Sequence, residues 1–330
     1  MNKKAFVTGA SGFTGGHLCR ILVERGYTVS ALVRKSSKID HLKKLGVKWV
    51  LADLAESATL NGILKNIDVV FHVAAAYRQE GISKEYFWKV NVDGTRAMLK
   101  QALESGVRRF VHCSTVGVQG EIANPPAKES DPYNPGDHYQ ESKKEGEKLA
   151  IGFFEKCNME GVIVRPVGIY GPGDTRFLKL FKYTFNGKFR MIGDGNVLYH
   201  LTYIDDLVNG IILAGEKSEA VGHIFTIGGN EYLTLKELVA LIAEVLGRPV
   251  PKKQIPLWPV YTAAILCETI CRPLGIEPPI YRRRLDFFKK NRAFDISKAK
   301  LLLSYEPRVD LRTGLRKTAQ WYRNQGLLTK

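Results

Sequence analysis

The stretch Val7-Thr8-Gly9-Ala10-Ser11-Gly12-Phe13-Thr14-Gly15 closes a short apolar run and opens a helical pattern. Its G-x-x-G-x-x-G spacing is one residue longer in the first step than the ordinary G-x-G-x-x-G fingerprint. Glycine lets the backbone turn tightly and approach a phosphate, and the start of a helix favours negative charge. Because the motif lies between a strand and a helix, it predicts a turn that binds a dinucleotide. We expect this turn to contact the cofactor through Gly9, Ser11, Gly12, Phe13, Thr14 and Gly15.

The first half of the chain alternates short apolar runs with helical patterns. The helical patterns at 15–25 and 91–105 are each followed by a glycine, which is typical of a helix C-terminus. Apolar strands separated by helices are typical of a parallel sheet that is covered on both faces. We therefore predict an α/β fold with a doubly wound parallel (Rossmann) sheet, whose ligands bind at the carboxyl ends of the strands. The predicted strands are 4–8, 28–33, 49–52, 69–73, 109–114 and 161–165.

The pattern changes after residue 170, where Gly171-Pro172-Gly173 interrupts it. Helical patterns follow at 234–246 and 257–271. A strand near 223–227 is expected to return to the main sheet, so that the two halves of the chain interleave. The predicted regions are a dinucleotide-binding domain at 1–170 and a smaller, C-terminal substrate-binding lobe at 171–330.

The composition of the 330-residue chain is that of an ordinary globular protein, with a formal net charge of +16. Its basic residues are scattered apart from one cluster at 282–284, and no aromatic-basic stripe accompanies them, so nucleic-acid binding is not supported. The five cysteines form no C-x-x-C pair, which is typical of reduced thiols in a cytoplasmic protein and predicts no metal site. The apolar run before Gly9 is too short for a signal peptide or a membrane span.

The end of the second strand bears on the choice between NAD and NADP. NAD enzymes usually place a carboxylate there to accept from the ribose 2′-hydroxyl, whereas this strand ends in Arg34 and Lys35. Because a guanidinium pairs with a 2′-phosphate, we favour NADP. NAD is the alternative, with Arg34 stacked on the adenine. The ends of the third and fourth strands would complete the pocket with Asp53, Leu54, Ala74, Ala75 and Ala76.

Tyr139 and Lys143 stand four residues apart near the start of a helical pattern, so their side chains share one face. A free phenol has a pKa near 10, which is too high for efficient acid–base work near neutrality. The Lys143 cation and a positive nicotinamide would both favour phenolate and lower the pKa of Tyr139. Lys143 can also hold the nicotinamide ribose. At the end of the fifth strand, Thr115 would orient a substrate carbonyl with its hydroxyl, and Ser114 is the neighbouring candidate.

The Tyr-x-x-x-Lys spacing is weak by itself, because Tyr232 and Lys236 repeat it. This second pair follows Gly228-Gly229 and lies far from any Ser-Thr strand end. We therefore interpret it as structural, and we select Tyr139 by its position in the chain.

Taken together, these motifs resemble those of the extended short-chain dehydrogenases/reductases, also called the NAD(P)-dependent epimerase/dehydratase family. The resemblance covers nearly the whole chain, and it implies a homodimer formed through the helices near Asn91 and Tyr139. The motifs that carry it lie at 8–15, 53–54, 72–76, 91–95, 114–115, 139–143, 165–166, 170–173 and 203–206.

The resemblance also implies roles for single residues. Tyr139 is the general acid/base, Lys143 is its partner, and Thr115 is the hydroxyl beside the substrate. At the cofactor, Pro166 and Val167 would lie at the nicotinamide carboxamide. Asn91 and Asp205 are expected to brace the fold, and Asn91 is also expected to lie next to the cofactor.

Two departures from the family pattern narrow the activity. Sugar-nucleotide 4,6-dehydratases carry Asp-Glu directly after the Ser-Thr pair, where this chain has Val116 and Gly117, so a dehydratase is excluded. Epimerases of sugar nucleotides usually carry an arginine that clamps the substrate pyrophosphate where this chain has Tyr199. Arg283, in the basic cluster, is a candidate to replace that arginine. The hypothesis of a nucleotide-sugar epimerase is therefore weakened, and it stays open as an alternative.

The stretch 257–271 is apolar on most faces and is followed by the basic cluster. In this it resembles the 3β-hydroxysteroid dehydrogenase and dihydroflavonol reductase-like branch, whose substrates are hydrophobic ketones or alcohols. Fifteen residues are too few to span a bilayer. We favour a helix that is buried over an apolar pocket or a dimer face, and contact of this helix with a membrane surface is the lesser alternative.

The sequence thus predicts an NADP(H)-dependent reductase or dehydrogenase that acts on a carbonyl or secondary alcohol of a hydrophobic small molecule. Loops near 76–81, which include Tyr77, and near 119–137 and 172–189 would line the substrate pocket. Tyr199 and Arg283 are the further candidates for substrate contact. A nucleotide-sugar epimerase is the alternative enzyme. A non-catalytic NAD(P)-sensing regulator is the third hypothesis, although it would not need the complete set of Thr115, Tyr139 and Lys143.

Overall fold

The computed structural model describes residues 3–77, 82–271, 273–276 and 278–329. Helices and strands alternate along most of the chain, and a π-helical turn at Lys89–Asp93 joins the second helix to the third. The strands are β1 (Lys4–Thr8), β2 (Thr28–Val33), β3 (Lys48–Leu51), β4 (Val69–His72), β5 (Arg109–Cys113), β6 (Glu160–Pro166), β7 (Gly168–Tyr170), β8 (Met191–Ile192), β9 (Leu198–Tyr203), β10 (Ile224–Ile227), β11 (Tyr232–Thr234) and β12 (Gln254–Ile255). The helices are α1 (Phe13–Glu24), α2 (Lys84–Trp88), α3 (Gly94–Glu104), α4 (His138–Cys157), α5 (Leu178–Phe185), α6 (Ile204–Glu216), α7 (Leu235–Leu246), α8 (Leu257–Cys271), α9 (Arg282–Lys289), α10 (Ser297–Leu303) and α11 (Leu311–Asn324).

A seven-stranded sheet in the order β10-β6-β5-β4-β1-β2-β3 forms the centre, and every neighbouring pair in it is parallel. The predicted doubly wound sheet is confirmed. The strand order reverses direction between β1 and β4, so a crevice opens at their carboxyl ends, where such sheets bind their ligands. The glycine-rich turn follows β1 and therefore lies at this crevice.

Helices cover both faces of the sheet, which explains why its central strands are apolar throughout. On one face Val7 and Phe71 pack in the same core as Leu18 of α1 and Ile211 of α6. On the other face a second core joins the sheet to α3 and α4. Burial on both faces removes the alternation of apolar and polar residues that a half-exposed strand would show.

The chain returns to the main sheet after residue 170. The edge strand β10 pairs with β6 in parallel, and α6 shares the core that β4 and α1 form. Two small sheets, β11-β9-β7 and β12-β8, lie outside the main sheet. The region expected to bind the substrate and the region expected to bind the dinucleotide are thus interleaved, with β10 at the edge of the main sheet.

The last third of the chain contains an outer segment, which we define as residues 257–289 without 272 and 277, which lie outside the described residues. Its helix α8 has the predicted bounds. Within α8 the buried residues are Ala264 and Glu268, while Trp258, Leu266 and Ile270 are exposed. Burial of α8 over an apolar pocket is therefore wrong for the single chain, because one narrow stripe of the helix turns inward. Among the described residues, no helix combines the length and the apolar character needed to cross a bilayer.

Candidate active site

The glycine-rich turn is compact because two of its glycines leave no room for a side chain. Gly9 has a φ of +75°, and a Cβ on it would lie 2.9 Å from the Ala74 backbone. A methyl group on Gly15 would overlap the Gly9 carbonyl, which itself accepts a hydrogen bond from Gly12 N at 2.9 Å. Helix α1 begins at Phe13, directly after this turn. A bare backbone at the start of a helix fits the pyrophosphate of a dinucleotide.

Arg176 reaches over this turn from the second half of the chain. Its guanidinium lies 5.5 Å from the centre of the Phe13 ring and 6.0 Å from that of Tyr77. Asp174 holds the guanidinium through an ion pair of 2.6 Å. Arg176 was not among the predicted site residues, although the break at 171–173 indicates that the pattern of the chain changes there.

The residues expected near the adenosine end lie at the carboxyl ends of β2 and β3. Arg34 and Lys35 are exposed, and Arg34 Nη1 donates to Tyr86 Oη at 3.4 Å. Asp53 accepts from Ala55 N at 2.9 Å through one carboxylate oxygen, which leaves the other available. The Leu54 side chain is buried in the core, so Leu54 can offer a cofactor only its backbone.

Asn91 ties the end of β4 to the helix that carries the proposed acid/base. Its Oδ1 accepts from Ala76 N at 2.8 Å, and its Nδ2 donates to Ala76 O and to Ser142 Oγ. Ala74 N donates to Thr8 Oγ1 at 3.0 Å. The amide of Asn91 is thus used within the protein, as expected for a residue that braces the fold. Ala74, Ala75 and Ala76 present small side chains along this edge.

Tyr139 and Lys143 lie on α4 and are both buried. Asp137 caps the helix by accepting from Gln140 N at 2.9 Å, which sets where α4 begins. The Tyr139 ring packs edge-on against Tyr77, with ring centres 5.3 Å apart. Lys143 Nζ donates to Cys113 O at 2.7 Å, so the lysine is anchored at the end of β5. Burial lowers the pKa of Lys143, and the nearby Cys113 and Glu147 oppose this shift.

The Ser-Thr pair follows β5 on the same side of the sheet. Thr115 is half-buried, and its Oγ1 accepts from Gly117 N at 3.1 Å, so the hydroxyl proton can be donated to a substrate oxygen. Ser114 is buried, and its hydroxyl has no partner among the described residues. Thr115 is therefore the better placed of the two candidates for contact with a substrate.

Two buried histidines lie below the active site: His72 opens the motif at 72–76, and no role was predicted for either side chain. His72 and His112 occupy paired positions of β4 and β5. The His72 ring bridges Thr8 Oγ1 at 3.0 Å and Thr95 Oγ1 at 3.1 Å. Burial, and then the charge of Lys143, lower the pKa of His72 to about 3. The same causes hold the pKa of His112 well below its ordinary value, so both histidines are neutral at physiological pH.

A buried ion pair fixes α4 to β6. Arg165 Nη2 lies 2.6 Å from Glu147 Oε1, and both side chains are almost completely buried. Tyr133 Oη also donates to Glu147 Oε1, at 2.8 Å. Glu147 stands one helical turn after Lys143, so the ion pair holds the same helix face that carries the lysine. The sequence analysis named Arg165 within a motif and assigned it no partner.

Of the remaining candidates, Tyr199 is corrected by its surroundings, while the positions of Pro166 and Val167 at a nicotinamide stay predictions. Tyr199 is buried, its hydroxyl donates to Phe287 O, and it accepts from Arg292 Nη1 at 2.7 Å. This arrangement argues against the expected substrate contact, because the phenol is fully used as a brace. Val167 N donates to Ile227 O at 3.1 Å, so this N–H is not available to a nicotinamide carboxamide. Pro166 ends β6 beside it.

Two further candidates form ion pairs with distant elements, and contact of Arg283 with a substrate stays a prediction. Arg283 Nη2 lies 3.4 Å from Asp137 Oδ2, so the basic cluster reaches the start of α4, two residues from Tyr139. Asp205 pairs with Arg20 Nη2 at 2.8 Å and joins α6 to α1, as expected for a residue that braces the fold. The structure therefore brings Arg283, Thr115, Tyr139 and the glycine-rich turn to one edge of the sheet.

Comparison with known proteins agrees with this geometry. The model of the NAD dependent epimerase/dehydratase family matches residues 5–228. The chain is 31% identical to a 3-beta-hydroxysteroid dehydrogenase of Mycolicibacterium neoaurum, over 92% of this chain and 87% of that protein. It is 30% identical to the sterol-4-alpha-carboxylate 3-dehydrogenase, decarboxylating, of Mus musculus, over 96% of this chain and 90% of the relative.

Among solved structures, that of UDP-glucuronic acid 4-epimerase from Bacillus cereus in complex with NAD superposes with a TM-score of 0.77. Its sequence is 26% identical, and the match covers 98% of this chain and 99% of that one. The relatives thus include dehydrogenases and an epimerase. The chain belongs to the NAD dependent epimerase/dehydratase family, the extended short-chain dehydrogenases/reductases, and is an NAD(P)-dependent enzyme of that family.

Proposed function

We propose that the protein is an NADP(H)-dependent reductase or dehydrogenase that acts on a carbonyl or secondary alcohol of a hydrophobic substrate. The observation that carries this proposal is the buried pair of Tyr139 and Lys143 beside Thr115. The residues after Thr115 are Val116 and Gly117, which cannot transfer a proton. One acid/base beside one orienting hydroxyl is sufficient for carbonyl reduction and insufficient for elimination of water.

Each residue then has a defined task. The bound nicotinamide supplies or accepts the hydride. Tyr139 gives a proton to the substrate oxygen during reduction, or takes it during oxidation. Thr115 donates a hydrogen bond to the same oxygen and so fixes the substrate against Tyr139. Lys143 places a cation near the phenol and is itself oriented by the Cys113 carbonyl.

Support for a hydrophobic substrate comes from the rings around Tyr139. Tyr77 is partly exposed and packs edge-on against it, and the ring centre of Phe87 lies 6.2 Å from that of Tyr139. Apolar walls with few polar groups are typical of pockets that take apolar ligands. The two dehydrogenases named above act, by their names, on sterols or steroids. We infer a substrate of that polarity and leave its skeleton open.

Support for NADP comes from the exposed Arg34 and Lys35 at the end of β2. A 2′-phosphate would gain charge-assisted hydrogen bonds from these side chains, whereas a 2′-hydroxyl would gain much less. In Arg34→Ser we expect the preference for NADPH over NADH to fall by roughly tenfold or more. Arg108→Ser, which removes an exposed arginine far from this strand end, is the matched control.

A nucleotide-sugar epimerase is the second candidate, and one observation favours it. Arg292 lies against Tyr199 at the position where epimerases usually have an arginine, and Arg283 lies near the start of α4. Two guanidinium groups near the substrate region could pair with a pyrophosphate. Arg292 already donates a hydrogen bond to the Tyr199 hydroxyl. Epimerase activity would therefore require this hydrogen bond to break, so that Arg292 can reach the pyrophosphate.

The deciding experiment follows nicotinamide absorbance with NADPH and NADH against a panel of hydrophobic ketones, and sugar isomerisation with UDP-glucose and UDP-glucuronate. We expect net oxidation of NADPH with at least one ketone and no isomerisation of either sugar nucleotide. Isomerisation without net change of the cofactor would replace the proposal by the epimerase. Turnover with NADH alone would overturn the preference for NADP and keep the reductase.

A further inference from the structure

Helix α8 presents a largely apolar face to the outside of the molecule, interrupted by the exposed side chains of Thr262 and Thr269. Trp258, Leu266 and Ile270 are 73%, 57% and 61% exposed, and Ile265 is exposed at one edge of the same face. At 100° per residue these positions fall within roughly 140° of arc. The face continues beyond the helix through the exposed side chains of Leu274, Ile276 and Ile280. We call these seven apolar residues the apolar face.

The polar groups of α8 are satisfied inside the helix or turned away from this face. Thr262 Oγ1 donates to Trp258 O and Thr269 Oγ1 donates to Ile265 O, each at 2.9 Å. Glu268, the charged residue of the helix, is buried and pairs with Arg282 Nη2 at 2.8 Å. The exposed surface of α8 therefore carries no charge and no hydroxyl that depends on water, as burial in an apolar medium requires.

Positive charge borders the apolar face. Residues 251–290 contain eight Lys or Arg and three Asp or Glu. Two of the three acids are neutralised locally, Glu268 by Arg282 and Asp286 by Lys290 at 3.0 Å. Lys289 Nζ lies 5.4 Å from the centre of the Tyr261 ring of α8. Arg284 Nη1 donates to Pro279 O, beside the exposed Ile280. We call three exposed cations of α9, Arg283, Arg284 and Lys289, the basic border; Lys252 and Lys253, also exposed, precede α8 in the chain.

We propose that the apolar face of α8 docks onto an anionic membrane surface, with the basic border held at the lipid headgroups. Helix α8 has 15 residues, or about 22 Å of length, which is shorter than the roughly 30 Å of a bilayer core. It can therefore lie in the interface and cannot span it. Each cation near an anionic leaflet adds to the attraction, while the apolar side chains leave water.

The basic border also argues against a second copy of the chain as the occupant. A two-fold interface would bring the same border of both copies together, so that like charges would face each other. An anionic leaflet supplies the opposite charge and places no demand on shape. Arg283 contacts Asp137, which caps the helix that carries Tyr139, so the docked surface would adjoin the catalytic region. The proposal rests on this surface and does not depend on the proposed reaction.

The test uses the full chain in co-sedimentation with vesicles of phosphatidylcholine, alone or mixed with phosphatidylglycerol. We expect binding to the mixed vesicles that weakens at high salt, little binding to the neutral vesicles, and a blue shift of tryptophan emission that is absent in Trp258→Phe. The double variant Leu266→Glu/Ile270→Glu should lower the bound fraction at least about tenfold. The control Leu301→Glu changes a leucine that is 80% exposed on α10 and should bind like the parent.

Both glutamate variants replace exposed side chains, so unfolding curves equal to that of the parent establish that they fold. Equal binding of the double variant and the parent, or no binding to phosphatidylglycerol vesicles, would overturn the proposal. Sedimentation velocity tests whether a second copy of the chain occupies the apolar face instead of a membrane. A dimer that the double variant dissociates, while Leu301→Glu keeps it, would assign the apolar face to a second copy and also overturn the proposal.

Discussion

The central strands β4 and β5 and the outer segment with α8 and α9 are both rich in apolar residues. The apolar side chains are buried in the first region and partly exposed in the second. In β4 and β5 every residue is buried, and His72 at the end of β4 is held by the hydroxyls of Thr8 and Thr95. In α8 four large apolar side chains are exposed, Trp258, Ile265, Leu266 and Ile270. The first region holds reacting groups in place, while the second offers a surface. Hydrophobicity alone does not distinguish these uses, because it depends on what lies on the other side of each element.

The two regions also treat charge differently. Near α4 the ions are buried and paired, as in Glu147 with Arg165, where the loss of one partner leaves an uncompensated charge. In the outer segment Arg283 and Arg284 are exposed to solvent, where a single charge contributes little to stability. Substitutions should therefore have large effects in the first region and small ones in the second.

The largest effect is expected at the acid/base. Tyr139→Phe removes the proton donor and keeps the ring, so kcat should fall by roughly 10²- to 10⁴-fold with cofactor binding retained. Tyr232→Phe is the matched control, since Tyr232 heads the second Tyr-x-x-x-Lys sequence and lies partly exposed on β11. Steady-state kinetics of both variants measure the effect. Equal kcat for Tyr139→Phe and the parent would refute the assigned role.

The next effect is on stability, at the buried ion pair. Glu147→Gln leaves the Arg165 guanidinium buried without a counter-charge, and we expect unfolding to cost about 3 kcal/mol less than in the parent. Asp93→Asn breaks the exposed pair with Arg96 and should change the free energy of unfolding by less than about 0.5 kcal/mol. Urea titrations give both numbers. Similar losses in the two variants would contradict the contrast drawn between buried and exposed charge.

A smaller effect is expected from the pH dependence of stability. The pKa of His72 falls from 6.5 to about 3 in the folded protein, and that of His112 is also well below 6.5. Below about pH 6.5 the unfolded chain binds protons that the folded protein does not, so stability is lost as the pH falls from there towards 3. Each histidine contributes up to about 1.4 kcal/mol per pH unit.

His112→Leu removes one group that takes up a proton on unfolding, so the dependence of stability on pH should become less steep. The substitution breaks no hydrogen bond among the described residues, because neither ring nitrogen of His112 has a partner there. His138→Gln, at an exposed position on α4, is the comparison for the loss of a surface histidine. Unfolding free energies on either side of pH 6.5 measure the difference. An unchanged slope in His112→Leu would mean that this histidine is protonated in the folded state.

The smallest effect is expected in the outer segment. Leu266→Ala removes a side chain that already faces outward, so the free energy of unfolding should change by less than about 0.5 kcal/mol. Leu238→Ala, the same substitution at a fully buried position of α7, should cost about 2–5 kcal/mol. Thermal or urea unfolding compares the two. A large loss at Leu266 would show that another part of the molecule covers α8.

Much of the fold could be predicted because the signals are local. The bounds of β1, β2 and α8 agree with their predictions, since runs of apolar residues and helical periods are properties of neighbouring residues. The position of Tyr139 after the Ser-Thr strand end was equally readable. Burial of α8 over an apolar pocket was predicted wrongly for the single chain, because the composition of the helix shows that it is apolar and does not show which elements cover it. Its burial in a dimer face stays a prediction.

The sequence by itself determined the doubly wound sheet, the glycine-rich turn and the order of the reacting side chains, because strand, turn and helix preferences act between residues close in the chain. Only the tertiary structure decided that Tyr199 is a brace, that His72 and His112 share a buried layer below Lys143, and that Arg176 reaches over the turn. Each of these facts depends on contacts between residues far apart in the chain, which form only when the whole molecule packs.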